Sequence, residues 1–389
     1  MLSFSTSSIV TAMILFSFVV ADGAVWTTSQ GRSFEAEFSR MDGTKVIFKM
    51  EDGREFFVPL LQLSAESQAI IRSNASAPIQ DLRSNFGRPW PQSARLSGSP
   101  GCKVISEDTE KRHYIYESPG YRFHSDTRIT ADALANFATV FESTRAYLAA
   151  LPLSLLSGET LATRSRVLIF EELATYHKSG GPVGSAGCFL GQHRLVLVPM
   201  ASLGLVKGGT GYSRDMDGHN KVLIHELVHQ LTPAAYYAHG SKGWFTEGLA
   251  EYVAITPYFT GSFRPDVHGN AVLEYVSATG EGGKGGRNLG KSITAPRLRD
   301  FMLMDYRSFS GENASRNYGL GLLVTHYFFH MSENGHARRI TAFLKALHAG
   351  ENGEQALSHL LAGGTWEKLE KEISDAWGRK GIEISFGGG

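Results

Sequence analysis

The sequence has no excess of charge of either sign. Its 389 residues contain 38 Lys plus Arg and 38 Asp plus Glu, so the formal net charge is zero. A protein that binds nucleic acid needs a broad basic surface to neutralise phosphates, which this composition does not supply. We therefore exclude nucleic acid as an expected partner. Hydrophobic residues make up 42% of the chain, as in a globular protein that buries a core.

Cysteine is scarce, because the chain contains only Cys102 and Cys188. Two thiols are too few for a structural zinc site built from cysteines. In an oxidising compartment the two residues could form one disulfide, and otherwise they are unpaired small hydrophobic side chains. The sequence leaves both alternatives open. We also find no Ser or Cys nucleophile motif and no internal repeat.

Long apolar segments are missing as well. Ile9 to Val20 is an apolar run of 12 residues, which is too short to span a bilayer comfortably. Small residues at Val19-Val20-Ala21 favour cleavage after Ala21, so residues 1–21 are predicted to be an export signal. This places the mature chain in the periplasm, outside the cell or on its surface. The segment before the run has no Lys or Arg, and an uncleaved membrane anchor is the alternative.

Residues 24–72 show the pattern of short strands. Phe34, Ala36 and Phe38 alternate with polar residues, which predicts a half-buried strand, and Val46 and Phe48 continue the alternation in a second strand. Asp-Gly pairs between the predicted strands are typical of hairpin turns. A third strand is predicted from Glu55 to Leu60. The block is therefore predicted to be a small β-barrel.

The sequence of this block resembles the Sla1 homology domain 1 family, whose fold is a small SH3-like barrel. The resemblance covers about 50 residues and implies an accessory module that binds a peptide or a surface. A plain β-barrel spacer is the alternative. The matching residues are Trp26, Gly31, Arg32, Phe34, Glu35, Ala36, Asp42, Gly43, Val46, Phe48, Lys49, Asp52, Gly53, Arg54, Val58, Pro59, Leu60, Leu63 and Ser64.

The rest of the chain is predicted to form a linker and a second domain. Residues 73–103 hold prolines among Ser, Asn and Gly, which indicates a linker or a wrapping arm. Residues 104–386 begin with strand patterns and continue with helical ones. We therefore predict an α+β fold, in which a sheet is followed by a mainly helical C-terminal part.

One motif in this domain is typical of metal binding. His225-Glu226-Leu227-Val228-His229 matches the pattern H-E-x-x-H. Residues four apart share one face of a helix, so both imidazoles can reach one metal ion. Glu226 lies beside them and can meet a metal-bound water rather than the metal. The motif predicts a zinc site in which His225 and His229 are ligands.

A third ligand is expected 18 positions after His229. Glu247 lies in the segment Trp244 to Tyr252, which reads W-F-T-E-G-L-A-E-Y. Catalytic zinc commonly takes three protein ligands, including the set of two His and one Glu, and keeps a position for water. Glu251 shares a helix face with Glu247. It could accept the free ring N–H of His225 as an outer partner.

H-E-L-V-H-Q followed by W-F-T-E-G-L-A-E-Y resembles the gluzincin metallopeptidases, in particular the peptidase-MA-like group and the related DUF1570 domains. The resemblance extends loosely over residues 104–375. It implies a zincin-type domain with Glu226 as the general base, Glu247 as the third ligand and Glu251 as the outer acid. It also implies that the strand Leu195 to Val198 is the edge that pairs with an extended substrate.

The resemblance further implies a tyrosine that stabilises the oxyanion, and Tyr318 stands at the place where the family often supplies it. A core aromatic is the alternative reading of Tyr318. His239 is a weaker candidate for the same role. His326 and His330 have metal-pair spacing, but no acidic partner accompanies them, so we favour packing or surface roles.

The predicted function is zinc-dependent hydrolysis of peptide bonds in a peptide or protein outside the cytoplasm. A non-catalytic binding protein stabilised by metal is one alternative. A zinc amidase that acts on cell-wall material is another, and the sequence does not separate it from a peptidase.

Overall fold

The computed structural model describes residues 24–42, 45–50, 54–68, 71, 85–156, 164–183, 185, 187–190, 195–203, 205–208, 211–214, 220–277 and 286–387. The predicted signal, residues 1–21, lies outside these residues. The chain forms two compact units, Met1–Asp81 and Leu82–Gly389. Strands occur in both units and long helices in the second, so the fold is mixed α and β, as predicted.

The N-terminal unit contains a four-stranded antiparallel meander in which each strand pairs with the next. Its core is formed by side chains that the strand alternation predicted to be buried, including Val46 and Phe48, together with Trp26. The four strands are β1 (Ala24–Thr27), β2 (Ser33–Asp42), β3 (Lys45–Lys49) and β4 (Glu55–Pro59).

The described part of this sheet is open rather than closed into the predicted barrel. Strand β4 ends at Pro59, and a 3₁₀ turn follows at Leu60–Gln62. The chain then returns to the other edge through the bridge between Thr28 and Leu63, beside which the Thr27 amide donates to Oγ of Ser67. Extended pairing between β1 and β4 is therefore absent from the described residues.

The second unit is built on a six-stranded sheet in the order β10-β11-β9-β8-β7-β6. The three central strands β8, β9 and β11 run parallel, and the outer pairs are antiparallel. The strands of this sheet are β6 (Lys103–Asp108), β7 (His113–Glu117), β8 (Tyr121–Ser125), β9 (Ser165–Phe170), β10 (Cys188–Leu190) and β11 (Leu195–Pro199). Here β5 denotes the short strand Ala94–Arg95.

The edge of this sheet is not where the resemblance placed it. The strand over Leu195 to Val198 lies inside the sheet, between β10 and β9. Its unbroken apolar sequence fits a strand covered on both faces, as is usual for parallel strands. The edge beside it is Cys188–Leu190, so the prediction for Leu195 to Val198 was wrong.

The segment before the sheet belongs to the second unit rather than to a free linker. Strand β5 pairs with β15 (Ser262–Phe263), which in turn pairs with β14 (Tyr258–Phe259). The ring of Trp90 packs 4.8 Å from that of Phe329. Residues 85–103 therefore wrap this unit. Two further small sheets consist of β12 (Leu205–Gly208) with β13 (Gly211–Arg214), and β16 (Ser292–Ala295) with β17 (Glu383–Phe386).

Helices supply the rest of the second unit. The hydroxyl of Thr130 accepts a hydrogen bond from the Ala133 amide and caps the first of them, which packs Phe141 against Phe123 of the sheet. The α-helices are α1 (Ala131–Ala150), α2 (Leu173–Lys178), α3 (Asn220–Leu231), α4 (Trp244–Ile255), α5 (His268–Ser277), α6 (Leu298–Leu303), α7 (Tyr306–Phe309), α8 (Ala314–His326), α9 (Arg338–His348), α10 (Gly353–Leu361) and α11 (Trp366–Gly378). Among the described residues, no helix has the length and apolar character to span a membrane.

Candidate metal centre

Helix α3 presents both motif histidines from one face. Its Leu223, Leu227 and Leu231 are buried, which fixes the rotation of the helix against the core. The Gln230 side chain donates a hydrogen bond of 2.8 Å to the carbonyl oxygen of Arg166 in β9. The helix ends before Pro233, because a residue that precedes proline disfavours the helical conformation. These contacts hold His225 and His229 towards α4.

Helix α4 brings Glu247 to the histidines. The helix begins after Gly243, whose φ of +103° favours glycine, and every one of its residues is buried. Glu247 and Glu251 are each only 2% exposed. Burial of a carboxylate is costly unless a cation or a hydrogen-bond donor compensates it. Two such groups on one buried helix therefore indicate that this part of the core is built to hold positive charge.

The donor atoms of the three predicted ligands converge. The Nε2 atoms of His225 and His229 lie 3.1 Å apart, and each lies 3.2 Å from Oε2 of Glu247. Tetrahedral zinc with bonds of about 2.0–2.1 Å separates its ligand atoms by about 3.3–3.4 Å. The arrangement therefore fits a small metal ion at its centre. In the part of the chain that the structure describes, these three residues form the group that could hold a metal ion.

Each of the two histidines also has a partner at its Nδ1 atom. Oε1 of Glu251 lies 3.1 Å from Nδ1 of His225. The Tyr237 hydroxyl lies 3.2 Å from Nδ1 of His229 and donates to the main-chain carbonyl of the same residue. The Nδ1–H groups are therefore directed to these partners, and Nε2 of each histidine is left for a metal.

Glu247, the third predicted ligand, is oriented in a similar way. The hydroxyl of Tyr306 donates a hydrogen bond of 3.0 Å to its Oε1. Its Oε2 is the atom that faces the two histidines. The carboxylate is thus oriented with one oxygen towards the metal position and the other towards the protein.

The electrostatics of the group favour a cation. Burial lowers the pKa of His225, but the hydrogen bonds and charges of Glu247 and Glu251 outweigh it and raise that pKa to about 10. Burial opposes ionisation of Glu247, yet the two histidines hold its pKa well below the usual range. Burial is likewise outweighed at Glu251, whose pKa falls to about 2 beside His225 and Arg287. Both carboxylates are therefore anionic at neutral pH.

Glu226 extends from helix α3 towards the edge strand β10. A Cβ added at Gly187, just before β10, would lie 3.4 Å from Cγ of Glu226. The charge of Glu226 also acts on the half-buried thiol of Cys188, whose pKa is raised mainly by burial and further by this carboxylate. The side chain therefore lies beneath the edge strand and outside the ligand triad. This is a position from which it can meet a substrate or a water molecule.

Tyr318 lies directly on the site. Its ring stacks on the imidazole of His225, with the centroids 6.2 Å apart and the planes at 18°. Its hydroxyl interacts with that of Tyr306, and burial together with the charge of Glu247 raises the pKa of Tyr318 to about 12. The hydroxyl therefore stays protonated at neutral pH and is able to donate a hydrogen bond.

The other candidate histidines are not part of the group that could hold a metal ion in the described part of the chain. His239 is exposed, and its carbonyl accepts a hydrogen bond from the amide of Gly353. The rings of His326 and His330 pack 4.8 Å apart beside the buried His268, and the structure gives them packing roles, as favoured from the sequence. The Tyr252 hydroxyl lies 2.9 Å from Nε2 of His330.

Three residues of the site were not found from the sequence: Tyr237, Tyr306 and Arg287. Tyr237 lies eight positions after His229, beyond the proline that ends the helix, so no helical spacing links the two. Tyr306 and Arg287 reach the site from separate segments, with no motif around them. The one signal available was Glu251 itself, because a carboxylate in so apolar a segment predicts a cation nearby.

Comparison with known proteins adds no relative to this picture. No protein-family model matches the chain, and no curated protein matches it. The chemistry of the site therefore rests on the residues themselves.

Proposed function

We propose that the second unit is a zinc metallopeptidase of the gluzincin type, which hydrolyses peptide bonds in an extracytoplasmic peptide or protein. The observation that carries the proposal is the convergence of His225, His229 and Glu247. Glu226 lies on the helix of the two histidines but does not belong to this group. A purely structural metal site has no use for a carboxylate beside the ligands and beneath an open strand edge.

The proposed mechanism assigns a task to each side chain. His225, His229 and Glu247 would hold the zinc ion, which when bound polarises a carbonyl group and lowers the pKa of a water ligand. Glu226 accepts a proton from the attacking water and passes it to the leaving amine. Tyr318 donates a hydrogen bond to the oxyanion that develops in the transition state, where such a donor has its largest effect.

Strand β10 gives the proposed substrate a place to bind. Among the described residues it is paired only with β11, so no described strand pairs with the main chain on its other side. An extended peptide can add to such an edge through main-chain hydrogen bonds. Because Glu226 lies against Gly187 at the start of this strand, a peptide bound there passes close to the proposed base.

Export and the role of the N-terminal unit remain parts of the proposal. The signal-like residues 1–21 support an extracytoplasmic location, whether cleaved or kept as an anchor. The N-terminal meander, with its resemblance to SH3-like barrels, would serve as an accessory module for a peptide or surface partner. Its small aromatic core of Trp26, Phe34 and Phe48 suits an independently folded module.

Zinc analysis combined with a peptide-library digest tests the proposal. The purified protein should contain about one zinc per chain, cleave library peptides, and lose this activity to a chelator and regain it with zinc. Full zinc occupancy without cleavage of any peptide would favour the metal-stabilised binding protein. Cleavage restricted to cell-wall material would favour the amidase.

A further inference from the structure

Arg287 makes a bidentate contact with the buried carboxylate of Glu251, which lies behind His225. Its Nε donates to Oε2 of Glu251 at 3.0 Å, and its Nη2 donates to Oε1. The same Oε1 lies 3.1 Å from Nδ1 of His225. A planar guanidinium that grips both oxygens fixes the plane of the carboxylate and not merely its charge. The direction of the hydrogen bond to His225 is thereby fixed as well.

The same guanidinium supports Tyr318. Its Cζ lies 4.9 Å from the centre of the Tyr318 ring. The same ring lies nearly parallel to the imidazole of His225, with the two ring centroids 6.2 Å apart. Arg287 and His225 thus both contact the Tyr318 ring, and Glu251 joins them to each other. A displacement of the guanidinium would loosen a proposed ligand and a proposed oxyanion donor together.

The backbone that carries Arg287 is itself pinned beside the site. The Arg287 amide donates to the carbonyl of Tyr275 at 3.0 Å, and the Leu289 amide donates to that of Val276 at 2.7 Å. The segment also packs onto the main chain of α8 at Gly319. A Cβ at that position would come within 3.0 Å of Cβ of Arg287. The close approach fixes Arg287 relative to the adjacent Tyr318.

We propose that Arg287 is a positioning residue of the metal centre, which acts through Glu251 on His225 and through ring stacking on Tyr318. This inference rests on the metal site of the proposed function. It does not require that the protein cleave peptides. Lysine would keep the positive charge but lacks the planar fork, so the proposal demands arginine specifically.

The test is the zinc affinity of the full-length protein, measured by competition with a chelator, for wild type, Arg287→Met, Arg287→Lys and Glu251→Gln. Loss of an outer-shell partner typically weakens metal binding by about 10–100-fold, and we expect this loss in Arg287→Met. Arg287→Lys should show a smaller but measurable loss. In the Glu251→Gln background, Arg287→Met should add little, because its effect passes through that carboxylate.

Arg297 offers a matched control. It also pairs with a buried helix glutamate, with its Nη1 3.1 Å from Glu370, but it lies outside the site. Arg297→Met should therefore leave zinc affinity at the wild-type value even if it lowers thermal stability. A zinc loss in Arg297→Met as large as that in Arg287→Met would overturn the proposal, since the effect would then be general destabilisation.

Two other outcomes would also overturn it. Wild-type zinc affinity in Arg287→Lys would show that the fork is dispensable, even if Arg287→Met does not fold. Full additivity of Arg287→Met and Glu251→Gln would show that Arg287 does not act through Glu251. The peptidase proposal fails separately, through tight zinc binding by wild-type protein that hydrolyses nothing. Absence of zinc binding by wild-type protein would contradict both the Arg287 proposal and the peptidase proposal.

Discussion

Gly248 and Gly321 lie in direct contact where helices α4 and α8 cross. A Cβ built at Gly248 would come within 2.5 Å of the Gly321 carbonyl oxygen, and one at Gly321 within 2.8 Å of the Trp244 carbonyl oxygen. Only glycine permits this approach of two backbones. The contact is next to Glu247 on one helix and close to Tyr318 on the other, so it sets the distance between the two halves of the site.

Gly248→Ala should therefore separate the two helices. Overpacking of a dense core typically costs about 1–3 kcal/mol of unfolding free energy, and a clash with main chain is at the upper end. Zinc affinity should fall as well, because Glu247 moves with the helix. Thermal or denaturant unfolding and chelator competition measure the two effects.

Gly269→Ala is the control for this substitution. Gly269 lies in helix α5, and a Cβ there would meet no atom within 4 Å. Its replacement should be neutral or should stabilise the fold by about 0.5–1 kcal/mol through helix propensity. Equal effects of the two alanine variants would contradict the close contact between α4 and α8.

The hydroxyls of Tyr318 and Tyr306 should have separable roles. Tyr318→Phe keeps the ring stacked on His225 and removes only the donor, so zinc affinity should stay near wild type. Loss of one oxyanion donor typically lowers kcat by about 10²–10³-fold. Steady-state kinetics at saturating zinc measure this decrease.

Tyr306→Phe should act mainly on metal binding, because the hydroxyl donates to Oε1 of Glu247. We expect its zinc affinity to fall by about 10-fold, the lower end for an outer partner, in a chelator competition. If Tyr306→Phe keeps its zinc but loses kcat as Tyr318→Phe is expected to do, the two roles must be exchanged.

Cys102 and Cys188 should both be free thiols. Both are unpaired in the structure. Cys188 lies in β10 at one edge of the six-stranded sheet, and Cys102 directly precedes β6 at the other. Five strand spacings of about 4.8 Å separate these edges by about 24 Å, whereas a disulfide requires Cα atoms within about 7 Å. Thiol labelling of unreduced, unfolded protein should therefore modify two cysteines, and an intact mass lower by two hydrogens would contradict this.

The histidine cluster beneath α4 should make the fold sensitive to acid. Burial lowers the pKa of His330 from 6.5 to about 4 and that of His268 to about 3, and lowers the pKa of His326 as well. As the pH falls below 6.5, these histidines bind protons in the unfolded chain but stay neutral in the folded chain. Stability is therefore complete above pH 6.5 and decreases as the pH falls towards about 4.

His330→Gln tests this dependence, because glutamine can still bond to the hydroxyl of Tyr252 but does not titrate. A shift from 6.5 to about 4 costs about 2 kcal/mol at pH 5 and almost nothing at pH 7. The variant should therefore gain about 2 kcal/mol relative to wild type between pH 7 and pH 5, in denaturant unfolding at equal zinc concentration. An unchanged difference between the two proteins at both pH values would refute the burial of a neutral His330.

Within the candidate site, the residues that share one face of a helix could be predicted from the sequence, because helical periodicity alone decides this. The spacings of His225 with His229, and of Glu247 with Glu251, are of this kind. The contacts of Arg287, Tyr237 and Tyr306 could not be predicted. They depend on how loops and separate helices pack, and no local pattern records that packing.

The sheet shows the same limit. Strand patterns were recognised in this part of the sequence, but the order of the strands in the sheet is a property of the whole fold. Leu195 to Val198 looked like a substrate-binding edge because of its position before the metal helix. The edge strand Cys188–Leu190 is only three residues long and follows a glycine-rich turn, so it offered no alternation to detect. Openness of the N-terminal sheet likewise depends on pairing between its first and last strands.

The most direct test of the central claim is the zinc content and hydrolysis rate of Glu226→Gln. The substitution keeps the size of the side chain and removes the base, and His225, His229 and Glu247 keep their contacts. We predict wild-type zinc content and a fall in hydrolysis of at least about 10²-fold, the low end for a positioned base. His229→Ala should instead lose zinc and activity together. Hydrolysis by zinc-loaded Glu226→Gln at the wild-type rate would contradict the account, as would a loss of zinc as complete as that of His229→Ala.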